Sequence, residues 1–181
     1  MIVLGITGQP ASGKDTIADY LIDRGFTKYT MGDIIRAEMR AIGLPLDRPS
    51  MSKFIEKKKR EAGLDYICKI ILTKLEDKTV VPGIRSTEEV KTFRKELGGQ
   101  FTLIAVQTHI ERRHKWATER NREGDQITLE QFKAQEDRER DNYVAGQEVD
   151  RVVEMADYVI DNDGTREDLY KKVDELIRKL S

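Results

Sequence analysis

Gly8, Gly13 and Lys14 stand at the spacing of a loop that cradles phosphate, in the stretch Gly8-Gln9-Pro10-Ala11-Ser12-Gly13-Lys14-Asp15-Thr16. The usual pattern is G-x-x-x-x-G-K-[ST]. In such a loop the backbone N–H groups, here including those of Ala11, Ser12 and Gly13, point inward at phosphate oxygens. The following helix adds its N-terminal dipole. Lys14 adds a point charge for β- and γ-phosphates. A hydroxyl that ligates Mg²⁺ normally comes next, but the chain has Asp15 there. Its carboxylate either lies beside a metal ion, where a hard cation favours oxygen, or caps the helix, where negative charge is also stabilised.

Further chemistry is carried by Arg85 in the turn Pro82-Gly83-Ile84-Arg85 and by Asp33-Ile34-Ile35-Arg36. An arginine-dense run extends from Glu111 to Arg122, and a turn falls at Asn162-Asp163-Gly164. Guanidinium binds phosphate bidentately and stays charged. Asp33 is placed either to accept a proton from a hydroxyl or to cap the helix it begins.

The elements that must position these residues alternate. Ile2 to Thr7 is short, apolar and ends in the glycine loop, which reads as a buried strand. A helix follows from Lys14 to about Arg24, closed by Gly25, and a short strand runs from Phe26 to Thr30. Asp33 to Leu75 reads as helical, broken at Gly43-Leu44-Pro45 and at Gly63. Val80-Val81 is a very short strand stopped by Pro82-Gly83. Thr87 caps a helix to Leu97, Thr102 to Gln107 is a strand, and Ile110 to Arg122 a basic helix broken by Gly124. Thr128 caps a helix to about Tyr143, Tyr158 to Ile160 is the last strand, and Glu167 to Leu180 the closing helix. This alternation predicts a parallel sheet covered on both faces, with ligands at the carboxyl ends of the strands.

With 181 residues, 38% of them hydrophobic and 36% charged, the chain reads as one soluble domain. A net charge of −1 gives no bulk attraction to nucleic acid or anionic membrane. No apolar run approaches the roughly 18 residues of a membrane span, and no signal peptide is evident. Cys68 is the lone cysteine, so no disulfide framework or cysteine zinc site is expected, and the cytoplasm is the expected compartment.

The Gly-Lys-x-Thr ending of the loop resembles adenylate kinase and other nucleoside monophosphate kinases, where the metal-binding hydroxyl is shifted one residue on. The chain also resembles the archaeal adenylate-kinase-related proteins, and the tail Met155 to Thr165 resembles dephospho-CoA kinases. This resemblance implies an α/β P-loop NTPase fold, with a five-stranded parallel sheet in the order 2-3-1-4-5 and helices on both faces. It implies a core of residues 1–32, 78–108 and 128–181, a helical acceptor-binding insert at 33–77 and a short lid at 109–127. Thr16, with Asp15, would hold Mg²⁺, and Asn162 would lie near the donor's adenine. Arg36 and Arg85, with Gly83 and Arg60 nearby, would grip the acceptor. Arg113, Arg120 and Arg122 would neutralise the migrating phosphoryl group. Trp116 would clamp the base or pack the lid. These kinases usually carry an acid where this chain has Pro82, so Asp15 compensates, or phosphates and water alone hold the metal, or catalysis is weak.

The function expected is Mg²⁺-dependent transfer of the ATP γ-phosphate to a small phosphorylated acceptor, a nucleoside monophosphate. The alternatives are a dephospho-CoA kinase, whose acceptor is a sugar hydroxyl, and a nucleotide-binding switch with little turnover. GTP as donor stays open. The expected partners are small nucleotides, with no nucleic acid or membrane, and the chain is read as a monomer or homodimer.

Overall fold

The computed structural model describes residues 1–120, 127–140 and 148–180. Five parallel strands form one sheet in the order β2-β3-β1-β4-β5. They are β1 (Ile2–Thr7), β2 (Thr27–Lys28), β3 (Lys78–Pro82), β4 (Phe101–Gln107) and β5 (Tyr158–Asp161). Between β1 and β2 lies α1 (Lys14–Ile22); between β2 and β3 come α2 (Met31–Ala41), α3 (Arg48–Ala62) and α4 (Tyr66–Leu72). Then α5 (Thr87–Leu97) precedes β4. α6 (Ile110–Arg120), α7 (Leu129–Arg140) and α8 (Val149–Glu154) precede β5, and α9 (Arg166–Leu180) closes the chain.

Parallel strands need both faces covered, and alternate residues of the strands feed two apolar layers. Val3, Val81 and Leu103 pack with Ile34, Ile71, Val90 and Phe93 on one face. Leu4, Ile6, Val80, Ile104 and Val106 pack with Ile17, Leu21 and Leu169 on the other. Each of these buried apolar side chains contributes roughly 1.5–3 kcal/mol relative to exposure.

β3 is longer than Val80-Val81 because its ladder to β1 holds it from Lys78 to Pro82, with Pro82 opposite Ile6. The chain then folds over the end of β1, as the Gly83 and Ile84 amides both donate to the Ile6 carbonyl, at 2.8 and 3.2 Å. The cap of α5 is Ser86 and not Thr87. Ser86 and Glu89 form a capping box, which satisfies two orphan amides reciprocally. The hydroxyl of Thr87 turns instead to Glu148. α8 was not expected; its six residues include three valines, a poor helical signal on its own. The expected break at Gly124 and the end near Tyr143 lie outside the described residues. Among the described residues no helix is long and apolar enough to cross a membrane.

Candidate active site

The phosphate loop joins the end of β1 to the start of α1 and curls through three positive-φ residues, Gly8, Ala11 and Gly13. At Gly8 (φ 139°) a Cβ would stand 2.4 Å from the Val106 carbonyl oxygen. At Gly13 (φ 99°) it would stand 2.3 Å from Nδ2 of Asn162. Only glycine meets both the conformation and the close approach. Ser12 is buried, and its carbonyl accepts from Asn162 Nδ2 at 2.9 Å and from Thr108 Oγ1 at 3.0 Å. Thus Asn162, placed by the resemblance near adenine, also braces the loop from the β5–α9 turn.

Lys14 folds back over the loop, its ammonium donating to the carbonyls of Gly8 (2.8 Å) and Gln9 (2.7 Å). Burial pushes its pKa down to about 7, and the charges of Arg85, Arg113 and Arg120 push the same way. Four cations therefore converge on the loop, drawn from α1, the turn after β3 and α6. Such crowding is unfavourable in the empty site and is relieved by a polyanion.

A cleft of about 570 Å³, within the usual range for small-molecule sites, opens over the loop from Ala11 to Thr16. Its other walls are Asp19, the α6 residues Arg112, Trp116, Glu119 and Arg120, and the turn Gly164-Thr165-Arg166 with Asn162 and Leu169.

The arginines expected on the lid are sorted by this geometry. Arg120 lines the cleft. Arg112, not among the arginines expected to act, also lines it; its guanidinium donates to the Gly164 carbonyl at 3.0 Å and lies 6.0 Å from the Trp116 ring. Arg113 lies beneath the loop instead. It is buried, pairs with both oxygens of Glu136, and donates to the carbonyls of Thr108 (3.0 Å) and Pro10 (3.3 Å). A buried pair of this kind holds α6, α7 and the loop together, and its charge still reaches Lys14. Arg122 lies outside the described residues. The i, i+4 spacing of Arg112 and Trp116, against buried Arg113 and Ala117, was the signal for the cleft face.

Asp15 does not occupy the cap. Gly13 does, with no side-chain hydrogen bond. The Asp15 carboxylate is largely exposed on the cleft wall, 4.0 Å from Lys28 Nζ, which binds Asp19 at 2.8 Å. The hydroxyl of Thr16 and the carboxylate of Asp15 are hard oxygen donors on the first turn of α1. They fit an Mg²⁺ ion held mainly by phosphates and water. Among the described residues no cluster of three metal-ligating side chains exists.

At the head of α2 the cap is Thr30, which accepts from the Asp33 amide. Asp33 receives the Thr30 hydroxyl and the Arg36 guanidinium, each at 2.6 Å. Those bonds, Thr30's first, hold its carboxyl below the usual carboxylate range. Arg85 follows Gly83 (φ 90°); its amide donates to Glu89 and its carbonyl accepts from the Glu148 amide. Arg60 points to solvent beside Glu56, at 3.0 Å, away from this group.

Comparison with known proteins agrees with this architecture. The family model described as AAA domain matches residues 7–133. A UPF0200/UPF0201 protein of Archaeoglobus fulgidus is 32% identical over the whole chain, which spans 56% of that longer relative. A UPF0200 protein of Thermococcus gammatolerans is 32% identical over 99% of this chain and 95% of its own length. The structure of a dephospho-CoA kinase from Campylobacter jejuni superposes with a TM-score of 0.59 at 18% identity, covering 99% of this chain and 96% of that one. A glycine loop of this kind, on a sheet of this order, in a chain matched along its length by these relatives, belongs to the P-loop nucleoside monophosphate kinase-like proteins of the AAA domain family, together with the UPF0200 proteins.

Proposed function

We propose that this protein transfers the γ-phosphoryl group of ATP to a small acceptor held between the head of α2 and the Gly83–Arg85 turn, within residues 33–77 and the adjoining core. The observation that carries the reading is the convergence of Lys14, Arg85, Arg113 and Arg120 on one phosphate loop beneath a nucleotide-sized cleft. Phosphoryl transfer needs little covalent chemistry from the protein and much positioning and charge neutralisation. ATP would lie along the cleft, its phosphates in the loop and its base between Trp116 and the Gly164–Arg166 turn. Mg²⁺, held by Thr16 and Asp15 with phosphate and water, would neutralise β- and γ-oxygens. Lys14 and Arg120 would face the migrating group and Arg85 the acceptor, with Arg113 bracing the loop.

The acceptor favoured by Asp33 is a hydroxyl. Its ionised carboxylate stands at the head of α2 as a base for that hydroxyl. As the acceptor oxygen bonds to phosphorus and the β–γ bridge breaks, the hydroxyl proton passes to Asp33 and ADP leaves. A nucleoside monophosphate acceptor is the second reading, favoured by Arg85 beside Lys14. Release of ADP, measured with AMP, other nucleoside monophosphates and dephospho-CoA in turn, tests both; no turnover with any acceptor would favour the nucleotide-binding switch. Small-molecule substrates and a cytoplasmic setting suit either enzyme, as a monomer or homodimer.

Arg36→Ala and Arg85→Ala are each expected to raise the acceptor KM by about tenfold or more, the worth of one charge-assisted hydrogen bond, and to leave ATP affinity nearly unchanged. Separate titrations of ATP and acceptor check this; equal weakening of both ligands would place the acceptor elsewhere.

Asp15→Asn is expected to raise the Mg²⁺ concentration needed for half-maximal activity, because a hard oxygen ligand is lost. Pro82→Asp in that background should recover part of it. An unchanged Mg²⁺ curve would leave Asp15 only its charge pairing with Lys28.

A further inference from the structure

The short helix α8 touches both halves of the site. Just before it, the Glu148 amide donates to the Arg85 carbonyl at 2.7 Å. Oε2 of the same residue accepts the Thr87 hydroxyl at 2.7 Å and the Thr87 amide at 3.2 Å. Its other oxygen takes Arg151 at 3.0 Å. These bonds, the Thr87 hydroxyl's first, hold the Glu148 carboxyl below the usual range. Two residues on, Asp150 Oδ1 accepts from Nε2 of Gln9 at 2.7 Å, and Gln9 belongs to the phosphate loop. Val152 buries the helix in the apolar layer shared with Val3 and Val90. The phosphate loop, through the Asp150 side chain, and the Arg85 turn, through the Glu148 backbone amide and its carboxylate on neighbouring Thr87, are thus fastened to the same short segment, in addition to lying side by side on the sheet edge.

We propose that Glu148 and Asp150 are positioning residues: α8 is a strap that sets the Arg85 turn in register with the phosphate loop, so that filling the loop orders the turn that receives the acceptor. The strap goes beyond the assigned chemistry and rests on the reading that the loop takes MgATP. The Glu148 side chain acts through Thr87, beside the Arg85 turn, and the Asp150 side chain through Gln9; neither lines the cleft. The Glu148 amide bond to Arg85 is backbone and survives substitution, whereas the carboxylate bonds to Thr87 and Gln9 are broken by alanine and kept by the isosteric amides, which still accept.

The test is hydrogen exchange of the amides of residues 85–87, with and without MgATP, in the full chain. MgATP is expected to slow that exchange by at least about fivefold in the wild type, in the range of ordinary site-to-site coupling. Glu148→Gln and Asp150→Asn should retain the slowing. Glu148→Ala and Asp150→Ala should lose it, while MgATP affinity by titration stays close to wild type. A merely structural role would lower the melting temperature of the alanine variants and leave the MgATP response in place, which would overturn the proposal. MgATP binding to the wild type with no change at residues 85–87 would overturn the strap alone, and no MgATP binding at all would overturn the strap and the donor reading together. Should Glu148→Ala fail to fold, Asp150→Ala decides, since it leaves the Glu148–Thr87 bonds intact.

Discussion

Lys14→Ala is expected to cost at least tenfold to a hundredfold in phosphoryl transfer, as loss of a transition-state charge contact typically does. Lys14 is the lysine of the loop, and its ammonium is already parked over the Gly8 and Gln9 carbonyls. Retention of more than about a tenth of wild-type turnover would remove it from the mechanism, because charge stabilisation of this kind seldom contributes less. Its depressed pKa makes a second, independent readout. The value of about 7 lies well below that of an unfolded lysine, so between pH 7 and the unfolded value the unfolded chain binds the extra proton. Stability of the empty protein should therefore rise with pH across that window. Phosphate oxygens reverse the balance by favouring the ammonium, so nucleotide binding should take up a proton, and affinity should fall as pH rises above 7. Isothermal titration in buffers of different ionisation enthalpy measures the uptake. Lys14→Ala should abolish it, and an unchanged uptake in that variant would assign the proton to another group.

Asp33→Asn is expected to lower kcat by roughly 10²–10⁴ if the acceptor is a hydroxyl, the usual worth of a positioned general base. If the acceptor is a phosphate, an anionic nucleophile that needs no base, the effect should be small. Asparagine keeps one of the two oxygens that Thr30 and Arg36 use, and Thr30 still caps α2 through the residue-33 amide, so the helix should survive the change. Assay with dephospho-CoA and with AMP separates the two readings, and a near-silent variant on the hydroxyl acceptor would strip Asp33 of its role. The carboxyl is held below the usual carboxylate range. It therefore stays ionised through neutral pH, and its stabilising bonds are present above the unfolded value and lost only as pH falls through the folded one. Loss of activity between pH 8 and 6 must then come from other groups.

The residues of the phosphate loop were legible because their signals are local. Gly8, Gly13 and Lys14 need only the five-residue spacing of a loop that must turn through positive φ after a buried strand. The alternation of strands and helices, and the breaks at Gly43 to Pro45 and at Gly63, follow from periodicity and backbone preference within a dozen residues. Sheet order came with the resemblance that the loop carried, not from the strands themselves, which are short and apolar and could pair in several ways.

Tertiary structure alone decided which of two adjacent arginines serves the cleft. Arg112 and Arg113 are chemically identical, and only the docking of α6 against α7 sends Arg113 inward to Glu136 and leaves Arg112 on the cleft wall with Trp116. It decided likewise that Asp15 faces Lys28, that Arg60 faces solvent, and that Asn162 braces Ser12 from 150 residues away. The strap through Gln9 and Asp150 joins residues 141 apart. A side chain's partner at such separation depends on where whole elements pack, whereas backbone propensity and apolar periodicity act within a few turns. The sequence therefore determined by itself that a phosphate loop opens an α/β sheet, and the folded packing determined which charges meet there.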